Sequence, residues 1–171
     1  MSGFFRASAR LAALIVVLTA GCNYGLRSDT GFPDHIRTIF IAPFGDDTGR
    51  FDVSQEIHRQ MSEQLPRSLG LRLAGETVAD ALVRGRVTRY DASAQNYRPG
   101  EPGRVDVVQQ QVQITMTVQI IDVRNSVILY ESSSVTGQGV YQPDTQSEDA
   151  ARLRAIETLI QQVINGAQSQ W

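Results

Sequence analysis

A strict two-residue alternation between residues 112 and 120 constrains the fold of this 171-residue chain more than any other feature. Apolar residues at even positions alternate with polar residues at odd positions: Val112, Ile114, Met116, Val118 and Ile120 against Gln113, Thr115, Thr117 and Gln119. Successive side chains of a strand point to opposite faces, so the pattern predicts a strand with one buried and one polar face. Such a strand belongs to a sheet that is covered on one side only.

Two other segments have the spacing of amphipathic helices, with apolar residues three or four positions apart. In the first, Asp52 is placed to cap the helix, Pro66 to end or kink it and Gly70 to close it, and its apolar residues are Val53, Ile57, Met61 and Leu65. The second begins at the capping box Thr145-x-x-Glu148. Its apolar stripe is Leu153, Ile156, Leu159, Ile160, Val163, Ile164 and Ala167, with Gly166 near its end.

Three more strands are predicted from β-branched and aromatic runs, at residues 36–44, 79–91 and 127–136. Residues 45–49, 95–104 and 137–144 are predicted as turns or loops from their glycine, proline and aspartate content, and residues 123–126 as a tight connection with Asn125 at its tip. The order is then β-α-β-β-β-α, in which the first strand and the strand after the helix are parallel. We expect an α+β two-layer sandwich over residues 36–167, a mixed four-stranded sheet with two helices on one face and a polar opposite face, followed by a tail at 168–171.

The first 21 residues have the character of an export signal. Arg6 and Arg10 precede an apolar run at residues 11–18, which is about half the length of a membrane-spanning helix. The small residues Ala20 and Gly21 then precede Cys22, the single cysteine of the chain. Residues 1–21 are therefore predicted to be a signal peptide, and the aperiodic residues 22–35 a lipidated N-terminus and tether.

Cys22 has no partner for an intramolecular disulfide, and an exported free thiol is open to oxidation. The surrounding residues resemble a bacterial lipobox, although Thr19 occupies the position where leucine is usual. The resemblance implies a covalent lipid on Cys22, and Asn23 after it favours the outer membrane by the enteric sorting pattern. The alternative is a buried free thiol that follows an ordinary signal peptide.

Composition and motifs argue against catalysis and nucleic-acid binding. The net charge of −2 falls to −4 when Arg6 and Arg10 are removed with the signal, and an acidic domain is a poor general nucleic-acid binder. His35 and His58 have no nearby cysteine or carboxylate at the spacing of metal ligands, and Asp46-Asp47 is typical of a turn rather than of metal or acid–base chemistry. We expect a binding or structural protein with no cofactor beyond the lipid and no metal.

One group of polar side chains forms a candidate binding surface. Arg84, Arg86, Thr88 and Tyr90 alternate with apolar residues in the second long strand, which predicts that they share its outer side. If that strand pairs with the next, they lie beside Gln113, Thr115, Thr117 and Gln119. Guanidinium, amide and hydroxyl groups would suit an anionic or strongly polar partner. An ordinary solvated face is the alternative.

Several segments resemble the lipopolysaccharide-assembly lipoproteins of the LptE family: "CNYGLR" at 22–27, "IRTIFIAPFGDDTGRFDVSQEIHRQM" at 36–61, "ADALVRGRVTRY" at 79–90 and the turn at 122–129. The resemblance implies a non-enzymatic outer-membrane lipoprotein on the periplasmic side. It would plug the LptD β-barrel translocon and assist lipopolysaccharide assembly, with the barrel and lipopolysaccharide as partners. The strand that ends in Pro43-Phe44 is also similar to envelope lipoproteins that activate cell-wall synthases or build secretion channels, which is the alternative function.

Overall fold

A computed structural model describes residues 32–99 and 105–170, which form a six-stranded mixed sheet and two helices. The predicted signal peptide and residues 22–31 of the predicted tether, including Cys22, lie outside the described residues. The elements are β1 (Thr38–Ile41), β2 (Gly45–Asp46), α1 (Phe51–Ser68), β3 (Arg72–Leu73), β4 (Ala81–Pro99), β5 (Val105–Asp122), β6 (Val127–Tyr141) and α2 (Glu148–Ser169).

The sheet has the strand order β3-β1-β4-β5-β6, and β2 continues beside β4. β1 pairs in parallel with β3 and β4, whereas β4, β5 and β6 are antiparallel. The α+β class and the mixed sheet are therefore confirmed. The sheet has six strands rather than four because two short segments, β2 and β3, also pair. β2 lies in the segment predicted as a turn, where Gly45 and Asp46 pair with Arg86 and Val87.

The core lies between the helices and one face of the sheet. In β5 the predicted apolar positions from Val112 to Ile120 are fully buried, and the intervening polar residues are half-buried. The apolar residues of α1 between Val53 and Leu65 are fully buried as well. Each fully buried aliphatic side chain contributes roughly 1.5–3 kcal/mol to folding, so this shared core is the main force that holds the two layers together.

Both helices begin differently from the predictions, and α2 continues to Ser169, into the predicted tail. Arg50, not Asp52, is the N-terminal flanking residue of α1, and it makes no side-chain cap. Asp52 lies in the first turn, where it pairs with Arg152 of α2 at 2.9 Å. α2 is capped by Ser147, whose side chain accepts from Ala150 N at 3.3 Å, so the predicted box at Thr145 was wrong. A serine directly before the first acidic turn is as good a cap as threonine, and two such residues near each other made the sequence ambiguous.

The long strands extend beyond their predicted ends. β4 continues to Pro99 and β5 begins at Val105, so the first half of the predicted loop at 95–104 is strand. β6 continues to Tyr141 through Gly137 and Gly139, which were predicted as loop. A Cβ atom at either glycine would collide with backbone carbonyls of α2. These glycines therefore permit close helix–sheet packing, and they do not mark a turn.

Candidate partner-binding face and the N-terminal end of the sheet

The helix-free side of the sheet carries rows of polar side chains, which we call the polar face. Its rows follow the register of β4 and β5: Arg84 with Gln119, Arg86 with Thr117, Arg89 with Thr115, and Asp91 with Gln113. Val83 and Val87, which flank the segment from Arg84 to Arg86, are fully buried on the opposite side. The structure thus brings Arg84, Arg86 and the predicted residues Gln113, Thr115 and Thr117 to one surface.

A β-bulge at Thr88 changes the composition of this face. Val87 pairs with Met116 and Arg89 with Thr115, so Thr88 is the extra residue, and its hydroxyl donates to the Thr115 carbonyl at 3.2 Å. Beyond the bulge the alternation is reversed, and Arg89 takes the outward position predicted for Tyr90. The sequence offers no signal for this shift, because no glycine or proline marks the bulge.

Tyr90 consequently lies on the helix side, and its predicted place on the outer face was wrong. Its hydroxyl donates to Glu148 at 2.7 Å, and the Arg50 guanidinium lies 4.0 Å from its ring centroid. Burial, followed by the hydrogen bond to the Glu148 carboxylate, raises the pKa of Tyr90. These contacts join β4 to the N-terminal ends of both helices, so Tyr90 has a structural role.

The three arginines of the polar face differ in their partners. Arg86 Nη1 lies 2.6 Å from Asp47 Oδ1, in an exposed ion pair. Arg84 Nε donates to Gln119 at 2.9 Å, and Gln119 in turn donates to Glu131. Arg89 is exposed and has no side-chain partner within the described ranges.

The polar face is therefore mixed in charge rather than purely basic. The cations Arg84, Arg86 and Arg89 are opposed by Asp47, Asp91 and Glu131. An anionic ligand would have to compete with Asp47 for Arg86, whereas a partner that also offers donors could satisfy both residues. Charge-assisted hydrogen bonds of this kind give register and specificity as well as affinity.

A shallow depression of about 420 Å³ lies in this face beside β6. Arg84, Arg86 and Thr117 line one side, and Glu131 and Ser133 line the other. The register of β5 and β6 is irregular beside it, because β6 has one extra residue opposite the segment from Met116 to Val118. The depression offers guanidinium, hydroxyl and carboxylate groups to a polar ligand.

The remaining candidate residues, Asp46 and His58, make contacts that stabilise the fold. Asp46 Oδ1 accepts from the Thr48 amide at 3.1 Å and from its hydroxyl at 2.7 Å, and these bonds, the hydroxyl's foremost, lower the pKa of Asp46. That is the turn role predicted for it. His58 is half-buried, and its ring makes a T-shaped contact with that of Phe44 at a centroid distance of 6.1 Å. In the part of the chain that the structure describes, no cluster of His, Cys, Asp and Glu could hold a metal ion.

The predicted tether joins the domain earlier than its sequence suggests. Phe32 is 8% exposed, and His35 Nε2 lies 2.7 Å from Asp122 Oδ2, a contact between residues 87 positions apart. Asp122 is almost fully buried and also accepts from the amides of Arg124 and Asn125. Burial by itself would raise the pKa of Asp122, but the hydrogen bonds from Asn125 and His35 outweigh it and lower the pKa. The sequence could not show this carboxylate beside His35.

Neither described helix is sufficiently long and apolar to cross a membrane.

Comparison with known structures shows the fold. A hypothetical protein from Chlamydia trachomatis, CT253, is 11% identical and has a TM-score of 0.53, with 78% of this chain and 99% of that chain covered. Protein XCC0632 from Xanthomonas campestris is 9% identical with a TM-score of 0.51, covering 81% and 85%. No curated protein sequence matches this chain.

The family model for lipopolysaccharide assembly, LptE, matches residues 36–166. The match runs from the segment before β1 into the last turn of α2, so it includes the whole sheet, α1 and most of α2. It confirms the resemblance seen in the sequence. The chain therefore belongs to the LptE family of non-enzymatic envelope lipoproteins, which act in lipopolysaccharide assembly.

Proposed function

We propose that this protein is an outer-membrane lipoprotein, anchored through Cys22, that lodges within an LptD-like β-barrel and assists lipopolysaccharide assembly. The observation that carries the proposal is the polar face. Among the residues that the structure describes, no helix covers one side of a sheet whose three long strands have 15 or more residues, and that side presents Arg84, Arg86 and Arg89 among amide and hydroxyl groups. A polar sheet face of this kind suits the hydrated interior of a barrel translocon.

The composition of the face matches such a partner in detail. A barrel lumen is polar and presents donors and acceptors of both signs, and the face balances its three arginines with Asp47, Asp91 and Glu131. Lipopolysaccharide carries phosphates and acidic sugars, which a guanidinium binds through paired hydrogen bonds. Arg89 is available for this without losing an existing contact, and Arg84 has only the amide of Gln119 to release.

The proposed anchor sets the distance at which the partner must lie. Ten residues separate Cys22 from Phe32, so the domain lies within about 35 Å of its lipid even if this segment is fully extended. Three acyl chains would make the attachment effectively permanent, since each buried CH₂ contributes about 0.8 kcal/mol. A partner embedded in the same membrane is within reach, which supports a barrel over an enzyme domain far out in the periplasm.

Affinity purification of the lipidated protein from outer membranes tests the proposal. We expect a large β-barrel to co-purify in stoichiometric amount. Recovery of a cell-wall synthase, or of a ring of identical copies, would contradict the proposal and favour the alternative function. The intact mass of the purified protein provides a second check, because loss of residues 1–21 and gain of acyl mass are both expected.

A further inference from the structure

A cleft of about 690 Å³ lies between the segment before β1 and the ends of both helices. Phe32 and Ile36 of that segment line it, and both are buried. Leu69 and Leu71, which follow α1, also line it, together with Gln168 near the end of α2. A cleft of this volume with a largely apolar lining is suited to an apolar or aromatic group.

The apolar stripe of α2 runs towards this cleft. Its last members, Ile160, Ile164 and Ala167, are three or four positions apart and are buried. The next position at this spacing is 171, which is occupied by the only tryptophan of the chain. Trp171 lies outside the described residues, one position beyond Gln170. The pattern that buries the rest of the stripe therefore predicts a buried side chain at this position as well.

The end of α2 is fixed beside the cleft. The side-chain amide of Gln168 donates to the Ser68 carbonyl at 3.0 Å, which joins the last turn of α2 to the last turn of α1. Gln170 has the backbone angles of a right-handed helix, with φ −87° and ψ −2°. Residues three positions apart share one side of a helix, so a side chain at 171 that follows this course would lie beside Gln168, at the cleft.

From this arrangement we propose that the indole of Trp171 occupies the cleft and packs against its apolar lining. A tryptophan side chain buries about 150–250 Å², and it is stabilised by leaving water. The buried indole N–H needs a hydrogen-bond acceptor, and Asp34 and Ser68 of the lining carry oxygen acceptors. The occupant is thus a residue of this chain, placed within reach by the helix that precedes it.

The indole would hold the N-terminal segment on the domain. The contact of His35 with Asp122 already attaches residues 32–36 to the sheet, and Trp171 attaches them to the helix ends. The consequence rests on the proposed function, because it concerns the lipid on Cys22. With the segment held, ten residues separate the domain from that lipid, and release of five more would add about 17 Å to the reach. Trp171 therefore keeps the domain close to a barrel in the same membrane.

Intrinsic fluorescence of the full-length lipidated protein in detergent tests the position of the indole, because Trp171 is the only tryptophan. We expect a blue-shifted emission maximum and several-fold weaker quenching by acrylamide than for the same chain unfolded in urea. Emission and quenching equal to those of the unfolded chain overturn the proposal. In that case the cleft is open to another occupant, such as an acyl chain of the Cys22 lipid.

A pair of substitutions identifies the cleft as the place of burial. Leu71 is half-buried in the lining, whereas Leu73, two residues further along, is exposed and lies outside the lining. Leu71→Gln should red-shift the emission and strengthen the quenching, and Leu73→Gln should change neither. No response to Leu71→Gln, or an equal response to both, would mean that the indole is shielded elsewhere, for example by the micelle, and overturns the proposal. Thermal unfolding checks both variants, and Leu71→Ala with Leu73→Ala replaces the pair should Leu71→Gln fail to fold.

Hydrogen exchange tests whether Trp171 holds the segment. The Ile36 amide donates to the Pro33 carbonyl at 2.8 Å, and its exchange rate reports how often the segment opens. Trp171→Ala should raise that rate about tenfold or more, which corresponds to about 1.4 kcal/mol, while the amides of β5 stay unchanged. Trp171→Phe keeps an aromatic ring and should raise the rate less. An unchanged rate at Ile36 overturns the proposal, and the intact mass of the sample separates this failure from failure of the anchor, which would show as missing acyl mass.

Discussion

Truncation of Met116 tests the assignment of the two sheet faces, on which the proposed function depends. Met116 is fully buried, and its terminal methyl group occupies the space above Gly85, together with the ring of Phe44. Met→Ala in a core costs about 2–5 kcal/mol, and the cost rises with the volume that the surroundings fail to refill. Gly85 has no side chain to move into the gap, so we expect Met116→Ala to lower the free energy of unfolding by about 3–5 kcal/mol, in the upper half of that range.

The matched control is Thr117→Ala, one residue further along the same strand but on the polar face. It removes a half-buried side chain opposite Arg86 and should cost at most about 1 kcal/mol, the span of strand propensities. Urea titration at constant pH measures both, and equal slopes of the transitions would show that the unfolded states are comparable. Equal destabilisation by the two substitutions would refute the assignment of the faces.

Other residues give three further predictions. Ser147→Ala should lower the free energy of unfolding by about 0.5–2 kcal/mol because it removes the cap of α2, whereas Thr145→Ala should not; the opposite order in urea titrations would place the cap at Thr145. The pKa of Asp122 is lowered in the folded state, so its charge stabilises the protein above the ordinary carboxyl pKa. The free energy of unfolding of the wild type should therefore exceed that of Asp122→Asn at neutral pH, and this difference should disappear as the pH falls below about 4. A difference that persists in acid would contradict this. Cys22→Ser should accumulate as an unprocessed precursor, and a mature unacylated wild-type chain would refute the anchor.

The sequence determines the elements whose cause is local. The alternation from Val112 to Ile120 predicts both the strand and its buried face, because every second residue needs the same apolar environment. The spacing of Val53 and Leu65 predicts α1 for the same reason. The family segments around Pro43-Phe44 were recognisable because they combine a strand, a turn and a helix start in fixed order.

Features that depend on distant partners could not be predicted. The bulge at Thr88 arises from the pairing of β4 with β5, and it replaces Tyr90 by Arg89 on the polar face. The sequence predicts a loop at Gly137 because it does not show how closely α2 approaches this residue. The contact is with Ala155, which is 18 positions further along the chain. The contact of His35 with Asp122 joins residues 87 positions apart.

Binding of the purified barrel by a double variant, Arg84→Glu with Arg86→Glu, tests the central claim most directly. Two lost charge-assisted hydrogen bonds, at roughly 1.5–3 kcal/mol each, predict an affinity at least about a hundredfold lower. The control, Arg67→Glu with Arg154→Glu, makes the same change of net charge on exposed helix positions and should leave the affinity unchanged. If the polar face makes no contact, the effect of the double variant should stay within about twofold and vanish with salt. That result, with circular dichroism showing a folded domain, would contradict the account.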